Sequence, residues 1–179
     1  MQITELELTW LNFYRASELH GGLILGQLVR RVRDPHLILE LTRHSAEEVM
    51  HAQLWTETIL AVGGRPRPMR GTYQARYATE LGICLGLIEV LCLTQVFERR
   101  VYRHFIEHAR VPGVHPAVRA TLERMVEEEQ HHLSWVKAWL DQRNGVESIA
   151  AREAMRRFGE IDTRVYAALL VEFDFPKAA

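Results

Sequence analysis

The sequence predicts an all-α fold: a four-helix bundle with a long connection between its second and third helices and a shorter fifth helix at the C-terminal end. Three observations predict it. Apolar residues recur at steps of three, four and seven along long segments. Proline, glycine, Asp-Pro and Asn-Gly signals cut the chain between those segments. No stretch shows the alternation of a β-strand.

The first helix runs from Ile3 to Arg31, with Leu11, Tyr14, Gly21, Leu25, Leu28 and Val32 on its apolar stripe. The second opens at Asp34-Pro35, a side-chain cap followed by a proline at the first helical position. It ends at Val62, before the stop signal Gly63-Gly64. Residues 63–75 form a Gly/Pro/Arg-rich connection, the longest in the chain and of a length that a crossover along the bundle requires. Within it the run Arg65 to Arg70 reads as a solvated loop. The third helix spans Arg76 to His108, and the fourth runs from Pro116 to Arg143, where Asn144-Gly145 follows. A shorter fifth helix covers Glu147 to Leu170, and the tail Phe173-Asp174-Phe175-Pro176 is extended. Helices of about 28 residues are ~40 Å long and pack as a bundle. The chain reads as one domain, residues 1–179, with its bundle over 3–143 and a C-terminal helix and tail over 146–179.

Composition sets the outer limits. At 179 residues, 47% apolar and 25% charged, the chain suits a water-soluble globular domain with a sizeable core. A formal net charge of −1 gives no electrostatic footprint for nucleic acid or anionic membrane. No run of 18 apolar residues spans a bilayer, and the N-terminus shows no signal or transit peptide, which makes the cytoplasm the expected location. Cys84 and Cys92 lie two turns apart on the expected third helix, roughly 12 Å along its axis and too far for a disulfide. No CxxC pair is present, which excludes a rubredoxin-type or zinc-ribbon domain, and the two thiols read as small core hydrophobes.

The spacing hides a repeat. The second and fourth helices align at an offset of 81 residues: Pro35 with Pro116, Leu41 with Leu122, Glu48 with Glu129, and His51 with His132. The first and third align at an offset of 80, which matches Glu18 with Glu98. The chain is therefore two copies of one helical hairpin, each carrying Glu and then Glu-x-x-His. In the fourth helix the overlapping pair Glu128 and His131 has the same spacing. The repeat selects Glu129 and His132, and helical phase agrees, since Leu122, Met125, Val136 and Leu140 share their stripe.

Residues three apart on a helix project from one face, so Glu48 points with His51 and Glu129 with His132. Their neighbours are apolar: Leu41, Trp55 and Ile59 for one pair, Leu122, Met125 and Val136 for the other. Four carboxylates and two imidazoles in an apolar core are very costly without compensation. Two divalent cations balance four carboxylates, and mixed oxygen and imidazole donors suit iron or manganese. The alternative is that these are surface charges on solvated helices. A lone Glu-x-x-His favours that alternative; two copies in register, each matched by a further glutamate, favour the metal.

Six residues, Glu18, Glu48, His51, Glu98, Glu129 and His132, resemble the ligand set of the ferritin-like di-iron carboxylate superfamily, one Glu from each of two helices and Glu-x-x-His from each of the other two. The likeness is carried by Glu18 in Ala16-Ser17-Glu18-Leu19-His20, by Glu48 and His51 in Ala46 to Ala52, by Glu98 in Val96-Phe97-Glu98-Arg99, and by Glu129 and His132 in Glu127 to His132, within residues 5–143. The resemblance implies two iron ions, with manganese or a mixed pair as alternatives. It also implies reaction with O2 or peroxide, a reductant, a small-molecule substrate and a homodimer. Rubrerythrins add a second helix-3 glutamate as Glu-x-x-Glu; Gln95 and Val101 stand at those positions here. That departure and the missing rubredoxin-like domain favour a likeness to bacterioferritins and di-iron hydroxylases. A tRNA-modifying hydroxylase branch shares such a set, and the near-neutral charge lends it no support.

Three functional classes follow. The first is a di-iron oxidase or hydroxylase. The second is an iron-handling ferroxidase, storage subunit or rubrerythrin-like peroxide scavenger. The third is a structural bundle without metal. Around the expected centre, His44 is either a packed or surface histidine or an additional partner of the site. Tyr14 and Tyr102 flank Glu18 and Glu98 by one turn, and Trp55 follows Glu48 by two; core packing is the simpler role for each. Glu89 faces away from the site and is expected to meet a subunit interface or the fifth helix. His20, His36, His104, His108, His115 and His131 show no common register and are read as mostly exposed.

Overall fold

The computed structural model describes residues 3–81 and 86–175. Over these residues the chain is all-helical, with six helices and no strand. They are α1 (Glu5–Val29), α2 (Pro35–Ala61), α3 (Tyr73–Leu81), α4 (Leu87–Ala109), α5 (Pro116–Asp141) and α6 (Gly145–Phe173). None of the described helices is long and apolar enough to cross a membrane.

Local chemistry sets the helix ends. The Thr4 hydroxyl caps α1 by accepting from the Glu7 N–H at 3.1 Å. Asp34 caps α2, its carboxylate accepting from the His36 and Leu37 N–H groups at 2.8 and 3.2 Å, with Pro35 behind it. At the other end of α2, Gly63 takes φ +80°, and Gly63 and Gly64 donate back to Leu60 and Ile59. This is a Schellman stop, which favours glycine because a left-handed residue must follow the last turn. His115 caps the start of α5, its Nδ1 accepting from Ala117 N–H at 3.2 Å.

Two expectations about elements are corrected. The single third helix from Arg76 to His108 is instead two, α3 and α4. Gly86 stands in extended backbone (φ −70°, ψ 167°) as the cap of α4, and the Glu89 carboxylate accepts from its N–H at 3.2 Å. A glycine in a helix interior costs about 1 kcal/mol relative to alanine, and Gly86 instead starts a new helix. Cys84, expected on that helix, lies outside the described residues. The C-terminal helix is not shorter: α6 has 29 residues against 25 in α1.

The chain divides into two compact units. The first runs up to Arg76 and includes Gly113–Thr121; the second comprises Tyr77–Pro112 and the chain from Leu122 onward. In the first, α1 packs along α2 over buried Leu11, Tyr14, Leu41, Trp55 and Ile59. Glycines permit the close approach. A Cβ on Gly22 would sit 2.9 Å from the Ser45 carbonyl oxygen and from Val49 Cγ2, and the Ser45 hydroxyl donates to the Gly22 carbonyl at 2.7 Å. The run from Arg65 is more than a solvated loop, because Asn12 of α1 straps it. The Asn12 side-chain carbonyl accepts from Arg67 N–H at 2.6 Å, and Arg15 donates to the Arg67 carbonyl at 2.8 Å. In the second unit α4 packs on α6 over Leu91, Phe105, Phe158, Val165 and Leu169. Cys92 lies in that contact, its sulfur 3.5 Å from the Ala151 carbonyl, and burial with nearby Glu89 pushes its thiol up to about 11. It remains a protonated core side chain.

Candidate metal centre

All six predicted ligands are buried, Glu129 and His132 completely. Helical phase does this: each lies on the apolar stripe of its helix. Glu128 is half-buried and His131 exposed, so the two overlapping Glu-x-x-His pairs of α5 have opposite environments.

In the first unit α1 supplies Glu18, and α2 supplies Glu48 and His51. Each offers a ligand atom within 4.8 Å of the others, and His51 Nδ1 stands 3.8 Å from the nearer Glu18 oxygen. Gly21 makes room for this approach, because a Cβ there would meet the Glu48 carboxylate oxygen at 2.8 Å. His44 joins the group: fully buried, it places Nε2 3.3 Å from Glu48 Oε1. In the second unit α4 supplies Glu98, and α5 supplies Glu129 and His132. Glu98 and His132 have ligand atoms within 4.8 Å of each other, and His132 Nδ1 lies 2.9 Å from Glu129 Oε2.

Each unit thus presents two carboxylates and the imidazole of a Glu-x-x-His pair from two helices, in dry surroundings, and the first unit adds the His44 imidazole. Two negative charges there match one divalent ion. The donors are oxygen and imidazole, and among the described residues no thiolate joins them.

Several other side chains differ from expectation. His104 and His108 are buried, not exposed. His104 Nδ1 lies 2.9 Å from the Tyr166 hydroxyl, and its ring stacks edge-on against Phe175 at 4.7 Å. Burial, then the neighbouring His108 and Arg100, push the His104 pKa down to about 3, so it is neutral at physiological pH. The signal was available in the sequence: the two histidines are four apart on α4, with apolar Val101 and Phe105 on the same face. Arg100 grips Asp162 of α6 through Nε and Nη2 at 2.9 and 2.6 Å, while Tyr77 donates to the other Asp162 oxygen. Nothing in the pattern of α4 alone announced that buried acid. Glu89 meets Arg157 of α6, as expected of a partner on the C-terminal helix. Tyr14 packs on Trp55 at 5.2 Å, and Tyr102 is partly exposed.

No known protein family, curated protein or solved structure matches this chain in the comparisons made.

Proposed function

We propose that the protein is a di-metal carboxylate oxidoreductase. In this reading α1, α2, α4 and α5 form a ferritin-like four-helix bundle, and the triads Glu18, Glu48, His51 and Glu98, Glu129, His132 together hold two iron or manganese ions. One observation carries it: all six side chains, three from each copy of the repeat, are buried among apolar residues. Ionised carboxylates in such surroundings need compensating charge, and two divalent ions supply it. Support also comes from the grouping within each unit: Glu18, Glu48 and His51 bring ligand atoms together in the first, and Glu98 and His132 in the second.

Bound iron would supply electrons to O2 or peroxide. The chain's own part is to hold the ions, exclude water and orient the ligands. His44 positions the Glu48 carboxylate, and the Glu129 contact fixes the His132 ring; such outer contacts tune a metal site strongly.

The test is metal content. Protein loaded anaerobically with ferrous iron, then desalted, is expected to keep about two ions per chain, the stoichiometry of this ligand pattern. The double variant Glu48→Gln, Glu129→Gln should keep fewer than one while its circular dichroism stays helical. Wild-type protein that retains neither iron nor manganese would remove the proposal.

A further inference from the structure

We propose that a cavity in the second unit binds a small organic anion that also carries a hydrogen-bond donor. The cavity is a cleft open to solvent with a volume of about 610 Å³, within the roughly 300–1,000 Å³ of small-molecule sites. Arg99 of α4, Lys137 of α5, Arg143 beyond its end and Arg152 of α6 line it, against one acid, Asp141. Leu140, Ala151 and Met155 add apolar surface suited to a carbon skeleton.

Local pairing leaves a positive surplus. Lys137 pairs with Asp141, and Arg143 lies 3.8 Å from Glu147. Arg152 donates to the neutral Ser148 hydroxyl at 2.7 Å, which leaves its charge and that of Arg99 for a ligand. A guanidinium presents paired N–H groups that match a carboxylate or phosphate.

Gln95 is the independent second observation. It lines the cavity and is only 2% exposed, yet its Oε1 has no hydrogen-bond partner among the described residues. A buried acceptor left unmet costs about 1–3 kcal/mol, so a ligand hydroxyl or N–H placed there recovers that loss. The Arg143 Nε, also enclosed, is a donor in the same condition. One ligand satisfies both demands: an anionic group for the arginines and a donor for Gln95. Gln95 precedes Glu98 by one helical turn. A ligand here would lie beside that proposed metal ligand, and its role as substrate rests on the metal proposal; its binding does not.

The experiment is calorimetric titration of the full chain with 4-hydroxyphenyl phosphate and with 4-hydroxybenzoate, using phenol as the neutral control. Saturable binding of at least one anion is expected, and the tighter of the two identifies phosphate or carboxylate as the recognised group. Raising salt from about 0.05 to 0.5 M should weaken binding, because partly exposed charges are screened. The double variant Arg99→Gln, Arg152→Gln alters exposed side chains and should weaken binding about tenfold, and Gln95→Leu should also weaken it. The same titration on Glu129→Gln separates the two proposals, since anion binding should persist where metal is lost. Failure of both anions to bind saturably, equal binding of phenol, or unchanged affinity in the arginine variant would overturn the inference.

Discussion

His104 gains its place in the α4–α6 contact only as the neutral imidazole. Its ordinary pKa is near 6.5, and in the fold it is pushed down to about 3 by burial, His108 and Arg100. Between those values the unfolded chain binds a proton that the folded chain does not, so stability is complete above about pH 6.5 and falls as pH drops toward 3. Urea unfolding should show lower stability at pH 5 than at pH 7. The variant His104→Gln, which keeps a polar partner for Tyr166, should flatten that dependence. Equal slopes for the two proteins would assign the pH dependence to other groups. The same scale shows where residue-level reading has power. Glu129 was separable from Glu128 because one step along a helix turns a side chain by about 100°. Asp162 was not legible, because its need for Arg100 and Tyr77 arises from residues some 62 and 85 positions away.

At the scale of elements, the α1–α2 contact depends on the absence of side-chain atoms. Alanine in place of an interior helix glycine ordinarily stabilises by about 1 kcal/mol. At Gly22 the added carbon would press on the Ser45 backbone oxygen at 2.9 Å, which has no rotamer to retreat into. Gly22→Ala should therefore destabilise by about 1–2 kcal/mol, the net of strain over propensity. Gly159→Ala, where a Cβ meets nothing within 4 Å, should stabilise by up to about 1 kcal/mol. Urea midpoints of the two variants check both signs. Capping chemistry made these elements readable: Asp34-Pro35 and Gly63-Gly64 bound α2 within a residue of expectation. The start of α4 at Gly86 was not legible because that glycine sits in an otherwise apolar run, where hydrophobic spacing outweighed backbone propensity. The length of α6 was underestimated because its partner surface on α4, where Cys92, Arg100 and His104 meet it, is invisible in its own sequence.

For the whole molecule, ions held as proposed would stabilise the fold. The candidate ligands of each unit come from two helices and are dispersed in the unfolded chain, so metal bound to them would favour the folded state and raise Tm. At free metal about one hundred times its dissociation constant the gain is about 2.7 kcal/mol. Stripping with a chelator should lower Tm, and readdition of ferrous or manganous ion should restore it. The Glu48→Gln, Glu129→Gln double variant should show little response to either treatment. A wild-type Tm that ignores both treatments would count against metal as a structural component.

By itself the sequence determined the all-α class, four of the helix boundaries at punctuated ends, and six candidate ligands singled out by a repeat in register. These are local or periodic properties, written in caps, in 3.6-residue spacing and in the offset between hairpins. Tertiary structure decided which polar groups are dry. It buried His44, His104, His108 and Asp162, strapped the Arg67 backbone to Asn12, and set buried Gln95 in the wall of a cleft that Arg99, Arg143 and Arg152 also line. Burial depends on neighbours brought together from distant parts of the chain, and no window of sequence contains them.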